Sequence, residues 1–301
     1  VKNLNKTYQK KGSNPVTAIE NLNLNVQQGE IFGLLGPNGA GKTTFINILS
    51  GSVMKTSGFV EVWGFNLDKN PRQVRASIGI VAQDVNLDPF FTPESLLDLQ
   101  AGLYGIKKKD RITSKILNLV SLEKQAKSYA RSLSGGMKRR LMVAKSLVHQ
   151  PPIIILDEPT AGVDVELRQN LWKNVKTLNQ EGVTIILTTH YLEEAEKMCD
   201  RIGILNKGNL VALDTTQKLL EKIQIKKISI KVNNRVNINE NKFKTLKIVS
   251  STNDEINLSY DKNELKIDQI IKLIEENGAR ILDLSTDDGD LEDVFLSLTK
   301  S

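Results

Sequence analysis

The chain has 301 residues, enough for one large domain or a large one with a small companion. Hydrophobic residues at 40% and charged residues at 25% describe an ordinary soluble globular protein, and no apolar run approaches the ~20 residues needed to span a bilayer. A net charge of +6 would suit a nucleic-acid or anionic-lipid surface, but the lysines are scattered. Lys107-Lys108-Lys109 is the densest run, so a solvated face is the better reading and no nucleic-acid partner is expected. The start carries no signal-peptide pattern, although the chain begins at Val1 and not at Met. Cys199 is the one cysteine, which excludes an intrachain disulfide and fits a reducing cytoplasm. It reads as a small, semi-buried residue on a helix.

In chain order, Val16-Thr17-Ala18-Ile19 and Leu22-Asn23-Leu24-Asn25-Val26 alternate as antiparallel strands. Ahead of them, Leu4 to Tyr8 ends in an aromatic side chain that could either pack or stack on a base. Glu30-Ile31-Phe32-Gly33-Leu34-Leu35 reads as a buried strand, and Phe45 to Ser50 as a helix. Between them lies Gly36-Pro37-Asn38-Gly39-Ala40-Gly41-Lys42-Thr43-Thr44, which fits G-x-x-x-x-G-K-[ST]. The glycines let the backbone approach a polyphosphate, and the helix N-terminus adds partial positive charge. In such a loop Lys42 would reach the β- and γ-phosphates, and Thr43 would offer its hydroxyl to Mg²⁺.

Ser57 to Gly64 reads as a short strand ending in a turn, and Ile78 to Ala82 as a strand running into Gln83. Residues 92 to 150 are mainly helical. Thr92-Pro93-Glu94-Ser95 is a helix start, with Leu96, Leu97, Leu99, Leu103 and Tyr104 giving an apolar face. A second helix follows around Ile112 to Leu119. The periodic run Lys138 to Leu147 has Ser134, Gly135 and Gly136 at its N-terminus. These supply free N–H groups and a hydroxyl, which serve equally as a plain cap or as a phosphate cradle.

Pro151-Pro152 ends this insert. Ile153-Ile154-Ile155-Leu156 is apolar throughout, the mark of a central strand covered on both faces. It delivers Asp157 and Glu158 to its C-terminal end, where α/β sheets bind ligands. One carboxylate there would hold Mg²⁺ and the other can polarise a water. After a helix from Val165 to Asn179, the strand Val183 to Thr189 ends at His190, a hydrogen-bond donor to phosphate or the cap of helix Tyr191 to Cys199. His149 reads as a helix-end residue. A hairpin, Arg201 to Leu205 and Asn209 to Leu213, and a helix to about Ile223 close the first domain. Beyond it Lys227 to Val232, Glu255 to Tyr260 and Arg280 to Leu284 read as strands, and Asp268 to Asn277 and Leu291 to Leu298 as helices. This tail shows no catalytic constellation.

Together these motifs resemble the ATP-binding subunits of ABC transporters, over nearly the whole chain. Gly36 to Thr44 looks like Walker A, Ile153 to Glu158 like Walker B, and Leu133 to Met137 like the ABC signature. Gln83 resembles the Q-loop glutamine, Ala161-Gly162-Val163-Asp164 the D-loop, and His190 the switch histidine. Ser134-Gly135-Gly136-Met137-Lys138-Arg139-Arg140, Thr188 to Glu196 and the ending Leu291 to Leu296 are similar to the branch paired with type-2 ABC permeases, which includes drug-resistance exporters. That branch shares Met137 where the commonest signature has Gln.

The resemblance implies an α/β fold: a P-loop NTPase core with an antiparallel β subdomain and a helical insert (about 84–150), all within residues 1–222. A small α+β accessory domain would follow in 223–301. It implies ATP and Mg²⁺ as ligands and hydrolysis to ADP and phosphate. Gly36, Asn38, Gly39, Ala40, Gly41, Lys42, Thr43 and Thr44 would hold the phosphates and Tyr8 the adenine. Thr43, Gln83 and Asp157 would hold the metal. Glu158 would be the general base, with His190 and Gln83 positioning the γ-phosphate and the water. Ser134, Gly135 and Gly136 would complete the site of a second copy, so that ATP holds a head-to-tail dimer. A separate permease would dock near Phe90-Phe91, which could also be a buried pair, and would keep the chain at the cytoplasmic face of the cell membrane. The alternative is a soluble ABC-type ATPase with a non-transport partner. Relatives acting on ribosomes carry two cassettes, and DNA-repair relatives a long coiled coil; neither is seen here.

Overall fold

The computed structural model describes residues 1–9, 12, 14–161, 165–234, 236, 245–287 and 289–299, without the side chains of 166 and 167. The chain divides into two compact units, Val1–Asp214 and Thr215–Ser301.

In the first unit, strands β1 (Lys2–Tyr8) and β2 (Val16–Leu22) pair antiparallel, and β1 also pairs with β4 (Ser57–Phe59). One strand runs from 16 to 22, where the alternation suggests two, over 16–19 and 22–26. Asn21 turns to a φ of 46° and the chain then leaves the sheet. Leu24 stays buried, with its N–H bonded to Val1 O. The alternation there reports burial without strand pairing. The stretch 57–64 also breaks up. β5 (Glu61–Val62) and β6 (Phe65–Asn66) form a tight hairpin on Trp63 and Gly64, both at positive φ.

The central sheet is built from β3 (Ile31–Leu35), β7 (Ile78–Val81), β8 (Ile153–Asp157), β9 (Thr184–Thr188), β10 (Arg201–Asn206) and β11 (Asn209–Thr215), in the order β11-β10-β3-β9-β8-β7. From β10 to β7 every pairing is parallel. β3 and β9 are buried at every residue and β8 at all but its first, as central strands covered on both faces must be. Helix α1 (Lys42–Leu49) leaves the loop after β3, and Phe45, Ile46 and Ile48 join the core with Leu4, Ile19 and Leu34. Helix α2 (Pro71–Ala76) gives little sequence signal, because Val74 is its one buried residue.

The helical insert lies between β7 and β8. Helix α3 (Pro93–Leu103) starts on a Thr92–Ser95 capping box. It buries Leu96, Leu97 and Ala101, while Leu99 and Leu103 stay exposed, contrary to the apolar face the sequence suggests. Helix α4 (Thr113–Leu119) and helix α5 (Gly135–Leu147) complete the insert. Helices α6 (Val165–Gln180) and α7 (Leu192–Met198) flank β9 in sequence. Cys199 follows α7 as its cap residue and is buried; burial pushes its thiol pKa up.

The second unit begins with α8 (Thr216–Glu221). Strands β12 (Ile225–Val232), β13 (Lys247–Ser251), β14 (Glu255–Asp261) and β15 (Ile281–Asp287) form an antiparallel sheet ordered β13-β14-β12-β15. With α9 (Ile267–Glu276) and α10 (Leu291–Thr299) this is an α+β arrangement. Ile228, Ile230, Ile256, Leu258 and Tyr260 pack under Ile270, Leu273 and Ile274 of α9. No helix among the described residues is long and apolar enough to cross a membrane.

His149, just past α5, does more than end a helix. Its ring stacks on Tyr104 at 3.8 Å and 3°, and its Nε2–H donates to Ile78 O at 3.1 Å. The insert is thereby pinned to β7. Its Nδ1 is buried without a hydrogen-bond partner among the described residues, and burial holds its pKa below the ordinary 6.5. The unfolded chain therefore takes up this proton first as pH falls, so stability is full above about 6.5 and declines below it. Urea midpoints at pH 7.5, 6.5 and 5.5 should fall with acid in the native chain and less steeply in His149→Gln. Equal slopes would reject a buried neutral imidazole.

Candidate functional site

A cavity of about 750 Å³ opens at the C-terminal edge of the parallel sheet, lined by Tyr8, Asn38 to Thr44, Gln83, Glu158 and His190 among others. Its floor is the loop between β3 and α1. Gly41 has a φ of 107°, and a side chain there would meet Ala18 O at 2.5 Å. At Gly36 a Cβ would come within 2.5 Å of Leu205 O. Both glycines are therefore demanded by contact as well as by conformation. The loop is closed by Ala40 N–H to Pro37 O, and Gly208 N–H to Ala40 O ties it to the turn after β10.

Lys42 is 8% exposed and donates from Nζ to Gly36 O at 2.6 Å and Pro37 O at 3.2 Å. Burial lowers its pKa, and Glu158 and Asp157 work against that shift. An ammonium bonded only to neutral carbonyls and short of water is poised to take an anionic oxygen. Thr43 is exposed beside it. Tyr8 lies partly exposed above Thr44, hydroxyl to hydroxyl at 3.4 Å, with Lys6 Nζ 4.5 Å over its ring. It is not a packed core residue.

The tip of β8 supplies the carboxylates. Asp157 is buried, and its Oδ1 accepts from the Thr188 hydroxyl on the neighbouring strand. Glu158 turns to a φ of 47° and donates its N–H to Thr188 O at 3.0 Å. That turn sends its carboxylate to the cavity, where Oε2 accepts from Gln83 Nε2 at 2.9 Å and lies 3.3 Å from His190 Nδ1. His190 is thus no helix cap, since Tyr191 takes that place without a side-chain bond.

Ser134 caps α5, accepting from Met137 N–H at 3.2 Å. Ser134, Gly135 and Gly136 are absent from the cavity lining, and Ser134 and Gly135 are exposed. Within one chain these residues are therefore separate from the cavity. Of the segment Ala161 to Asp164, Gly162, Val163 and Asp164 lie outside the described residues.

Two supports escaped sequence reading. Arg139, 5% exposed, spreads its guanidinium over five backbone carbonyls: Pro159, Ala82, Gln83, Asp157 and Glu158. The buried Glu194 carboxylate accepts from Thr160, Thr189 and Trp172, with Arg168 Nε 3.4 Å away. It thereby ties α6 to the residue before His190. Neither gives a sequence signal, because an arginine in a basic run and a glutamate in an acidic helix look solvated.

A family model described as ABC transporter matches residues 19–161. The linearmycin resistance ATP-binding protein LnrL of Bacillus subtilis is 33% identical over 310 residues, covering 99% of this chain and 96% of that protein. The chain belongs to the ABC transporter family. The Nod factor export ATP-binding protein I of Ralstonia nicotianae is 38% identical over 207 residues, 68% of this chain and 64% of that one. The dimeric, post-hydrolysis structure of an ATP-binding cassette bound to ADP and Pi aligns with a TM-score of 0.64 and 29% identity, over 71% of this chain and 97% of that chain. This ABC protein is accordingly an ATP-binding ATPase with the α/β cassette fold.

In this ABC cassette Gly41→Ala should cost about 2 kcal/mol in stability through backbone strain and weaken ATP binding at least about tenfold, since 1.4 kcal/mol is a factor of ten. Thermal unfolding and titration with a fluorescent ATP analogue check both. Native affinity in the variant would reject the close approach to Ala18.

Proposed function

We propose that this chain is the ATP-hydrolysing subunit of an exporter, working as an ATP-held head-to-tail pair beneath a separate type-2 ABC permease. One observation carries the hydrolytic assignment: a single carboxylate oxygen of Glu158 faces both the Gln83 amide and the His190 ring at the mouth of the loop that holds Lys42.

In this reading the N–H groups of Gly36 and of Asn38 to Thr44 wrap the phosphates, Lys42 leaves its carbonyl partners for the β- and γ-oxygens, and Tyr8 stacks on adenine. Glu158 takes a proton from water as the water oxygen attacks the γ-phosphorus. The bond to the bridging oxygen breaks and ADP leaves. His190 and Gln83 orient the water and the γ-phosphate. Most of the acceleration comes from positioning and charge neutralisation.

The Thr43 hydroxyl, the Asp157 carboxylate and the Gln83 amide carbonyl form an all-oxygen donor set that suits Mg²⁺. Gln83 spends its N–H on Glu158, so its carbonyl is still available for that role. When bound, the ion would neutralise charge on the phosphates. Ser134, Gly135 and Gly136 lie outside the cavity of their own chain, which supports their use by a second copy. The dimeric cassette bound to ADP and Pi supports the same assembly.

Phe90, ahead of α3, is 70% exposed and Leu103, at the end of α3, 75%, with Leu99 also exposed. Phe90 and Phe91 are thus not a buried pair. Exposed apolar side chains of this kind support docking of a permease helix there, and the names of the linearmycin-resistance and Nod-factor-export relatives support export. Such docking would hold the chain at the cytoplasmic face of the membrane.

Glu158→Gln should lower phosphate release by about 10²- to 10⁴-fold, the usual share of a general base, while trapping an ATP-bound dimer visible by light scattering. A variant that stays monomeric with ATP and Mg²⁺, or turns over at the native rate, would sink the assignment.

A further inference from the structure

Arginines 139 and 140 are adjacent on α5 and do unlike things. Arg140 Nη1 stays within the helical insert, donating to the carbonyls of Val120 and Ser121 at 2.9 Å each. Arg139 turns to the core. Its Nη1 donates to Ala82 O at 2.7 Å and Gln83 O at 2.8 Å, where β7 ends. Its Nη2 donates to Glu158 O at 2.6 Å and Asp157 O at 3.2 Å, and its Nε to Pro159 O at 2.9 Å, where β8 ends.

A planar fork with five N–H groups in fixed directions suits this task, and a lysine ammonium does not reproduce it. Two of the carbonyls it holds belong to Gln83 and Glu158, whose side chains meet in the cavity. Glu158 has a φ of 47°, a conformation that an L-residue keeps only where its surroundings impose it. It is gripped on both sides, by Thr188 through its N–H and by Arg139 through its carbonyl. Gln83 is held by the same guanidinium, and its amide then reaches Glu158 Oε2.

We propose that Arg139 is a positioning residue for ATP hydrolysis, setting Gln83 and Glu158 against each other from helix α5. The same helix begins at Ser134, so Arg139 also joins the half-site offered to a second copy to the hydrolytic groups of its own chain. This rests on the roles proposed above for Gln83, Glu158 and Ser134.

The test uses the full chain with Arg139→Lys, which keeps the charge, and Arg139→Met, which keeps the stem. ATP affinity measured without Mg²⁺ should stay within about twofold, because the phosphate loop does not touch Arg139, whereas kcat should fall about tenfold or more, as small misplacements of reacting groups do. Hydrogen exchange should quicken at 82–84 and 157–160 and stay unchanged at 36–44. If Arg139→Met does not fold, Arg139→Lys decides alone. Native kcat in Arg139→Lys, a loss confined to ATP affinity, or exchange rising evenly over residues 1–214 would each overturn the proposal. Full turnover in Glu158→Gln beside lost turnover in Arg139→Lys would overturn the base assignment and leave the clamp standing.

Discussion

The site depends on parallel pairing of neighbouring strands. Ile78 to Val81 run beside Ile153 to Leu156, which run beside Ile185 to Leu187, and Ile31 to Gly33 follow on the far side. Strands that run the same way end at the same edge. The loop after β3, Gln83 after β7, Asp157 and Glu158 at the tip of β8 and His190 after β9 are therefore neighbours before any side chain is chosen. Slipping one strand by a single residue would turn its tip residues to the other face. Burial of the strands on both faces resists that slip.

On this edge the fold accepts local cost in exchange for geometry. Lys42 is desolvated, Glu158 sits at positive φ, and Gly36 and Gly41 are pressed against backbone carbonyls. Each is over-determined by its neighbours: Thr188 and Arg139 around Glu158, Ala18 and Leu205 around the loop. Opposite charges also offset one another, since Asp157 and Glu158 favour the charged form of both Lys42 and Arg139. Under the proposed function, a polyphosphate entering this site would meet a lysine ammonium already removed from water, where a charge interaction is stronger than in bulk solvent.

The helical insert serves the same edge from outside. Its last helix, α5, presents Ser134 at one end, carries Arg139 at mid-length, and is followed by His149, whose ring is held between Tyr104 and Ile78. The insert is thus fastened to β7 and β8 at two points, by the five carbonyl bonds of Arg139 and by the bond from His149 to Ile78 O. The second unit has its own core around Tyr260 and Ile274.

Much of this was legible in the sequence. The phosphate loop, the paired carboxylates after Ile153 to Leu156 and the helix start at Thr92 rest on local rules of spacing, capping and apolar runs, which a linear chain displays in full. Alternation at Leu22 to Val26 misled, because burial and strand pairing leave the same pattern. Helix α2 and strand β13 were silent, being short and mostly exposed. The roles that stood open in the sequence, His190 as cap or donor and Tyr8 as packing residue or base-stacking aromatic, depended on which residue lies across from them. By itself the sequence determined which residue types could do the chemistry and where along the chain they occur, since motif chemistry is local. Only the tertiary structure decided that His190 and Gln83 share one oxygen of Glu158 and that Arg139, not Arg140, reaches the strand tips, because those contacts join residues far apart in the chain, the first through side chains and the second through backbone carbonyls that carry no sequence signature.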